Sequence, residues 1–120
     1  MLSHVPIASI LVIAPDAELR QSLAFVFEAN NFQVRTCTTW PPTYQLGQFD
    51  VIILDETAVP RSLYADETLR TAHHRLILLA GRVGATPPIP HARLVHKPLL
   101  DTLLLDAVFA MISPRAAASK

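Results

Sequence analysis

The sequence predicts an α/β fold: a five-stranded parallel sheet in the order 2-1-3-4-5, with helices on both faces. Three observations lead there. Short runs of Ile, Leu and Val recur at residues 10–13, 51–54 and 76–79, with a weaker one at 93–96. Their hydrophobicity is continuous rather than alternating, which suits strands covered on both faces. The runs are separated by segments of helical periodicity or by loops, and strands that alternate with helices form parallel sheets with right-handed crossovers.

The elements follow in order. Residues 10–13 make the first strand, which breaks at Ala14, Pro15 and Asp16. Asp16 is placed to cap a first helix with Leu19, Leu23, Val26 and Phe27 in one apolar stripe, and Asn30 and Asn31 end it. Residues 32–37 alternate Phe32, Val34 and Thr36 against Gln33, Arg35 and Cys37, the pattern of an edge strand with one wetter face. The segment TTWPPTYQLGQ (38–48) has room for only a short second helix, beginning at Pro41 or Pro42. After the third strand, residues 61–73 fit a helix with Leu63, Leu69 and Ala72 inward. The fourth strand runs into GRVGATPPIPHA (81–92), with two glycines and three prolines, so the fourth helix is expected to be lost or replaced by a loop. The last helix, 101–112, is capped by Asp101, turns Leu104, Val108, Met111 and Ile112 inward and is closed by Pro114. Residues 1–113 then form one domain, and 114–120 a flexible tail or the start of a linker.

Composition narrows the function. With 51% of 120 residues hydrophobic, the chain can bury a core without covalent staples. Ten Lys and Arg balance ten Asp and Glu, so no basic field draws nucleic acid by charge. The apolar runs fall far short of the roughly 20 residues of a membrane span. The N-terminus has no basic region of a signal peptide, and lone Cys37 forms no internal disulfide. A cytoplasmic location is expected, without membrane or nucleic acid partners.

In this topology ligands bind beyond the carboxyl ends of the strands, near the switch in strand order. The residues there are Ala14, Pro15 and Asp16, then Asp55, Glu56 and Thr57, then Ala80 and Gly81, then Lys97 and Pro98. FDVIILD (49–55), VHKPLL (95–100) and ILVI with PDAELRQSL, in that register, resemble the receiver domain of bacterial response regulators, the CheY-like family of flavodoxin-like fold. The resemblance covers nearly the whole chain. It implies that Asp55 stands at the phospho-acceptor position, where a carboxylate takes a phosphoryl group from a histidine kinase as an acyl phosphate. It implies that Lys97 pairs with that carboxylate or phosphate, and that the Lys97-Pro98 peptide is cis.

The departures from the family are at the same sites. Its two acidic residues after the first strand, which hold Mg²⁺, correspond to Ala14 and Pro15, and neither side chain has an oxygen. Asp16 comes one place late and is the expected helix cap. The hydroxyl residue at the end of the fourth strand is Ala80. Magnesium binding is therefore expected to be lost, no cofactor is expected, and Asp55 with Lys97 reads as a structural ion pair. The resemblance is thus to a degenerate, or pseudo-receiver, type.

Other chemistry-bearing residues read as structural. His73, His74, His91 and His96 lack partners at metal-ligand spacing, Cys37 reads as packing, and Trp40, with Pro41, Pro42 and Tyr44 nearby, as a cap on the sheet edge or an aromatic binding surface. Leu103, Leu105 and Phe109 lie off the inward stripe of the last helix and form a candidate interface. The expected function is a non-enzymatic, atypical receiver acting by contact with a histidine kinase, another signalling protein or its own copy. Two alternatives stay open: a phosphorylatable single-domain response regulator in which Asp16 or Glu56 replaces the lost acids, and a nucleotide second-messenger sensor using Arg61, Arg82 and Arg93.

Overall fold

The computed structural model describes residues 7–40, 45–59, 75–81, 93–96 and 103–112. Five strands, β1 (Ser9–Ile13), β2 (Gln33–Cys37), β3 (Val51–Asp55), β4 (Leu76–Ala80) and β5 (Arg93–His96), pair in parallel in the order β2-β1-β3-β4-β5. This is the predicted sheet, with β2 at one edge. Two helices are described, α1 (Ala17–Ala29) and α2 (Leu103–Ile112). The predicted helix over 61–73, most of the loop 81–92, the tail 114–120 and Asp101 lie outside the described residues. So do Pro41, Pro42 and Tyr44; of the segment meant for a short second helix, Leu46–Gln48 forms a 3-10 turn.

Successive side chains of a strand point to opposite faces, and the sheet uses this to build two cores. Ile10, Val12, Val51, Ile53, Ile77, Leu79 and Val95 face α1 and α2, meeting Leu23, Phe27, Leu104, Ala107 and Val108. Leu11, Ile13, Ile52, Leu54, Leu76 and Leu78 face the other way, toward Trp40, Phe49, Ala58 and Val59. Burial on both faces is the physical cause of the unbroken Ile, Leu and Val runs. Trp40 is buried beside the sheet in the second core, as a cap on its edge would be.

At its start α1 is capped by Asp16, whose Oδ1 accepts from the Glu18 N–H at 3.0 Å. Its end is a Schellman arrangement. Asn31 takes the left-handed conformation, φ 70°, while the Phe32 N–H donates to the Phe27 carbonyl and the Asn31 N–H to the Glu28 carbonyl. The two phenylalanines that this closure brings together meet edge to face, with ring centroids 5.8 Å apart. Phe32 in turn lies 5.4 Å from Phe109 of α2, so one aromatic chain ties both helices to the start of β2.

Two predicted orientations differ in the structure. Val26, expected on the inward stripe, is exposed, and Arg20 and Ala24 are half-buried instead. The helix is rolled toward Arg20, whose guanidinium reaches back to the loop before it. Leu105 and Phe109, expected to face a partner, are half-buried against the helix-side core. The cause is the Phe32 ring, which offers Phe109 an aromatic partner at the edge of the sheet.

Candidate functional site

The register of the sheet brings five strand ends to one rim. Ile13 lies opposite both Cys37 and Leu54, Asp55 opposite Leu79, and Ala80 opposite His96. The loops after β1, β3 and β4 therefore meet there, as the sequence predicts for a ligand site.

The loop after β1 carries no carboxylate until Asp16, and that one is engaged as the cap of α1. Ala14 is fully buried, and its N–H donates to the Cys37 carbonyl at 3.0 Å, which extends the pairing with β2 by one residue. Arg20, one turn into α1, folds back over the loop. Its Nη1 donates to the carbonyl oxygens of Ala14 at 2.8 Å and Pro15 at 2.9 Å. A guanidinium thus covers the backbone oxygens that this loop presents. Nothing in the sequence marked Arg20, because the contact depends on how the helix rolls.

Cys37, at the end of β2, sits at the side of the same loop. Partial burial pushes its thiol above the ordinary value of 9.0, and the nearby Arg20 charge opposes that shift, as does a backbone hydrogen bond at Thr39. It is a packed thiol rather than an activated one.

The loop after β3 is the reverse. Asp55 is 2% exposed, and among the described residues it is the one charged side chain that is buried. Its Oδ1 accepts from the Thr57 N–H at 3.0 Å and from the Thr57 hydroxyl at 2.9 Å. This caps a 3-10 turn, Glu56–Ala58, with the same i to i+2 bond that Asp16 makes to Glu18. The Asp-x-Thr spacing is a sequence signal that could have found it. Glu56, read from sequence as a candidate replacement for the lost acids, is half-buried and accepts a hydrogen bond from the Gly81 N–H just beyond β4.

Ala80 is buried at the end of β4 and brings no hydroxyl to the rim. Lys97 and Pro98 lie outside the described residues, so the Asp55 pairing and the cis peptide do too; the same holds for Arg61, Arg82, His73, His74 and His91. Arg93 opens β5 and is exposed, and Leu103 is the first residue of α2. Among the described residues, no group of three His, Cys, Asp or Glu is placed to hold a metal ion. No helix among them is long and apolar enough to cross a membrane.

No family model matches the sequence, and no curated protein matches it. Solved structures do. Full-length FixJ from B. japonicum matches with a TM-score of 0.71 at 20% identity, over 96% of this chain and 63% of that one. The non-phosphorylated HemR receiver domain from Leptospira biflexa matches at 0.70 and 20% identity, over 91% and 95% of the two chains. The chain has the receiver-domain fold. A response regulator receiver domain protein from Clostridium thermocellum adds a match of 0.69 at 20% identity, over 93% of this chain and 99% of that one. On a receiver fold, the rim described above is where Asp55 and the loop after β1 would face each other.

Proposed function

We propose that this chain is a pseudo-receiver of two-component signal transduction. It acts by protein–protein contact and not as an enzyme, with little or no Mg²⁺-dependent phosphorylation of Asp55. The observation that carries this reading is the loop after β1, where Ala14 and Pro15 bring no side-chain oxygen and Arg20 lies on their carbonyls. A hard divalent cation needs several oxygen ligands, preferably anionic, and this donor set does not fit one. Phosphoryl transfer is accelerated mainly by charge stabilisation and positioning, so losing the metal removes its main source. Asp16 and Glu56, which could have supplied substitute carboxylates, are engaged with the N–H groups of Glu18 and Gly81.

The test is incubation with Mg²⁺ and acetyl phosphate, read by intact mass. The expected spectrum is unmodified protein. Stoichiometric acyl phosphate at Asp55 would overturn the reading in favour of a working response regulator.

The surface for such contact lies on α1. Phe25 is 74% exposed and Val26 is 41% exposed on its outer side. Glu18 and Glu28 are exposed on the same helix, while Arg20 is turned to the loop. A second copy would set carboxylate against carboxylate, so this surface suits a kinase or other signalling protein with an apolar pocket and a basic rim. Phe25→Glu is expected to leave the melting temperature within a degree or so of wild type, since surface changes are near neutral, and to abolish pull-down of its kinase. A self-associating wild type that Phe25→Glu makes monomeric would assign the surface to a second copy.

A further inference from the structure

We infer that Glu56 is a built-in anion that clasps the ends of β3 and β4, holding the rim as a bound anion otherwise would. Three observations meet here. The Glu56 carboxylate accepts from the Gly81 N–H, 25 residues away in sequence. Ala80, immediately before that N–H, is buried and has no hydroxyl, so the backbone amide is the donor this strand end brings to the rim. Asp55, immediately before Glu56, has one oxygen committed to Thr57. The 3-10 turn that Asp55 caps carries Glu56 as its first residue, which aims the carboxylate across to β4.

A backbone amide at a strand end is a natural anion donor, and an ionised acceptor makes the stronger kind of hydrogen bond. With a carboxylate from the same chain already on that amide, a soluble anion has to displace it. The Glu56 carboxylate therefore holds the ends of β3 and β4 together without a donor of phosphoryl groups. This does not depend on whether Asp55 is ever phosphorylated, and the experiment uses neither Mg²⁺ nor a phosphoryl donor, so its outcome is separate from the test above.

Amide exchange at Gly81, followed by NMR on wild type, Glu56→Gln and Glu56→Ala, reads the clasp directly. Glu56→Ala should exchange about tenfold faster or more, the factor expected when a charge-assisted hydrogen bond is lost from a locally opening segment. Glu56→Gln, which keeps an uncharged acceptor, should fall between. Sodium acetate should slow Gly81 exchange in Glu56→Ala and leave wild type unchanged. An unchanged rate in Glu56→Ala, no acetate effect in that variant, or an equal acetate effect in wild type overturns the inference. If Glu56→Ala does not fold, a Gly81 rate in Glu56→Gln equal to wild type overturns it, and a faster one supports it.

Discussion

The loops after β1 and β3 stand side by side at one rim and are built from opposite materials. The first is apolar at Ala14 and Pro15, and a cation from α1 lies on its carbonyls. The third carries adjacent carboxylates, Asp55 and Glu56, each engaged with backbone N–H groups of its own chain. One loop carries no side-chain oxygen before Asp16; the other carries two carboxylates, both held by its own chain.

Converting the first loop toward the third is the most severe change to make. Ala14→Asp places an ionisable group at a position with no solvent exposure. It should cost about 3 kcal/mol or more in urea unfolding, because a carboxyl loses its hydration there. Millimolar Mg²⁺ should recover none of it. Recovery by Mg²⁺ would show that the loop still has the shape of a metal site and would erase the contrast with the loop after β3.

Removing the cation is next. Arg20→Ala uncovers the Ala14 and Pro15 carbonyls and should cost about 1–2 kcal/mol by denaturant midpoint, given charged donors on a half-exposed side chain. An unaltered midpoint would reduce Arg20 to a surface residue. On the other loop, Thr57→Val deletes the hydroxyl donor to Asp55 and should cost about 1 kcal/mol, while Thr57→Ser should cost less because it keeps that donor. A larger loss in the Ser variant than in the Val variant would mean that the methyl packing, not the hydroxyl, matters.

Much of this contrast was legible in the residues themselves. ILVI, VIIL and LILL are unbroken because β1, β3 and β4 are covered on both faces, and the strand order followed from that pattern and the rule for crossovers. The poverty of the first loop was legible because it is a matter of which atoms are present. What the third loop does was not, because Glu56 meets Gly81 only after β3 and β4 pair. Helix roll escaped for the same reason. Periodicity places Val26 inward with Leu23 and Phe27, and the contact that turns Arg20 in instead is made outside the helix. The wheel of the last helix alone assigns Phe109 to a partner, whereas the ring it meets, Phe32, lies far away in sequence.

The smallest effect comes from Cys37, which joins the first loop to β2 through its carbonyl and sits near Arg20 through its thiol. Burial raises the thiol above 9.0 in the folded protein, so from that pH upward the unfolded chain sheds its proton first. The contribution of this group to stability is complete below the ordinary thiol value and is lost as pH rises through the folded one. Urea unfolding should therefore show stability falling from pH 9 upward more steeply in wild type than in Cys37→Ala. Because Arg20 opposes the rise, Arg20→Ala should move the thiolate absorbance titration to still higher pH. A titration in that variant at the wild-type pH would mean that the guanidinium serves the loop carbonyls alone, and that the cation's reach ends at the edge of the first loop.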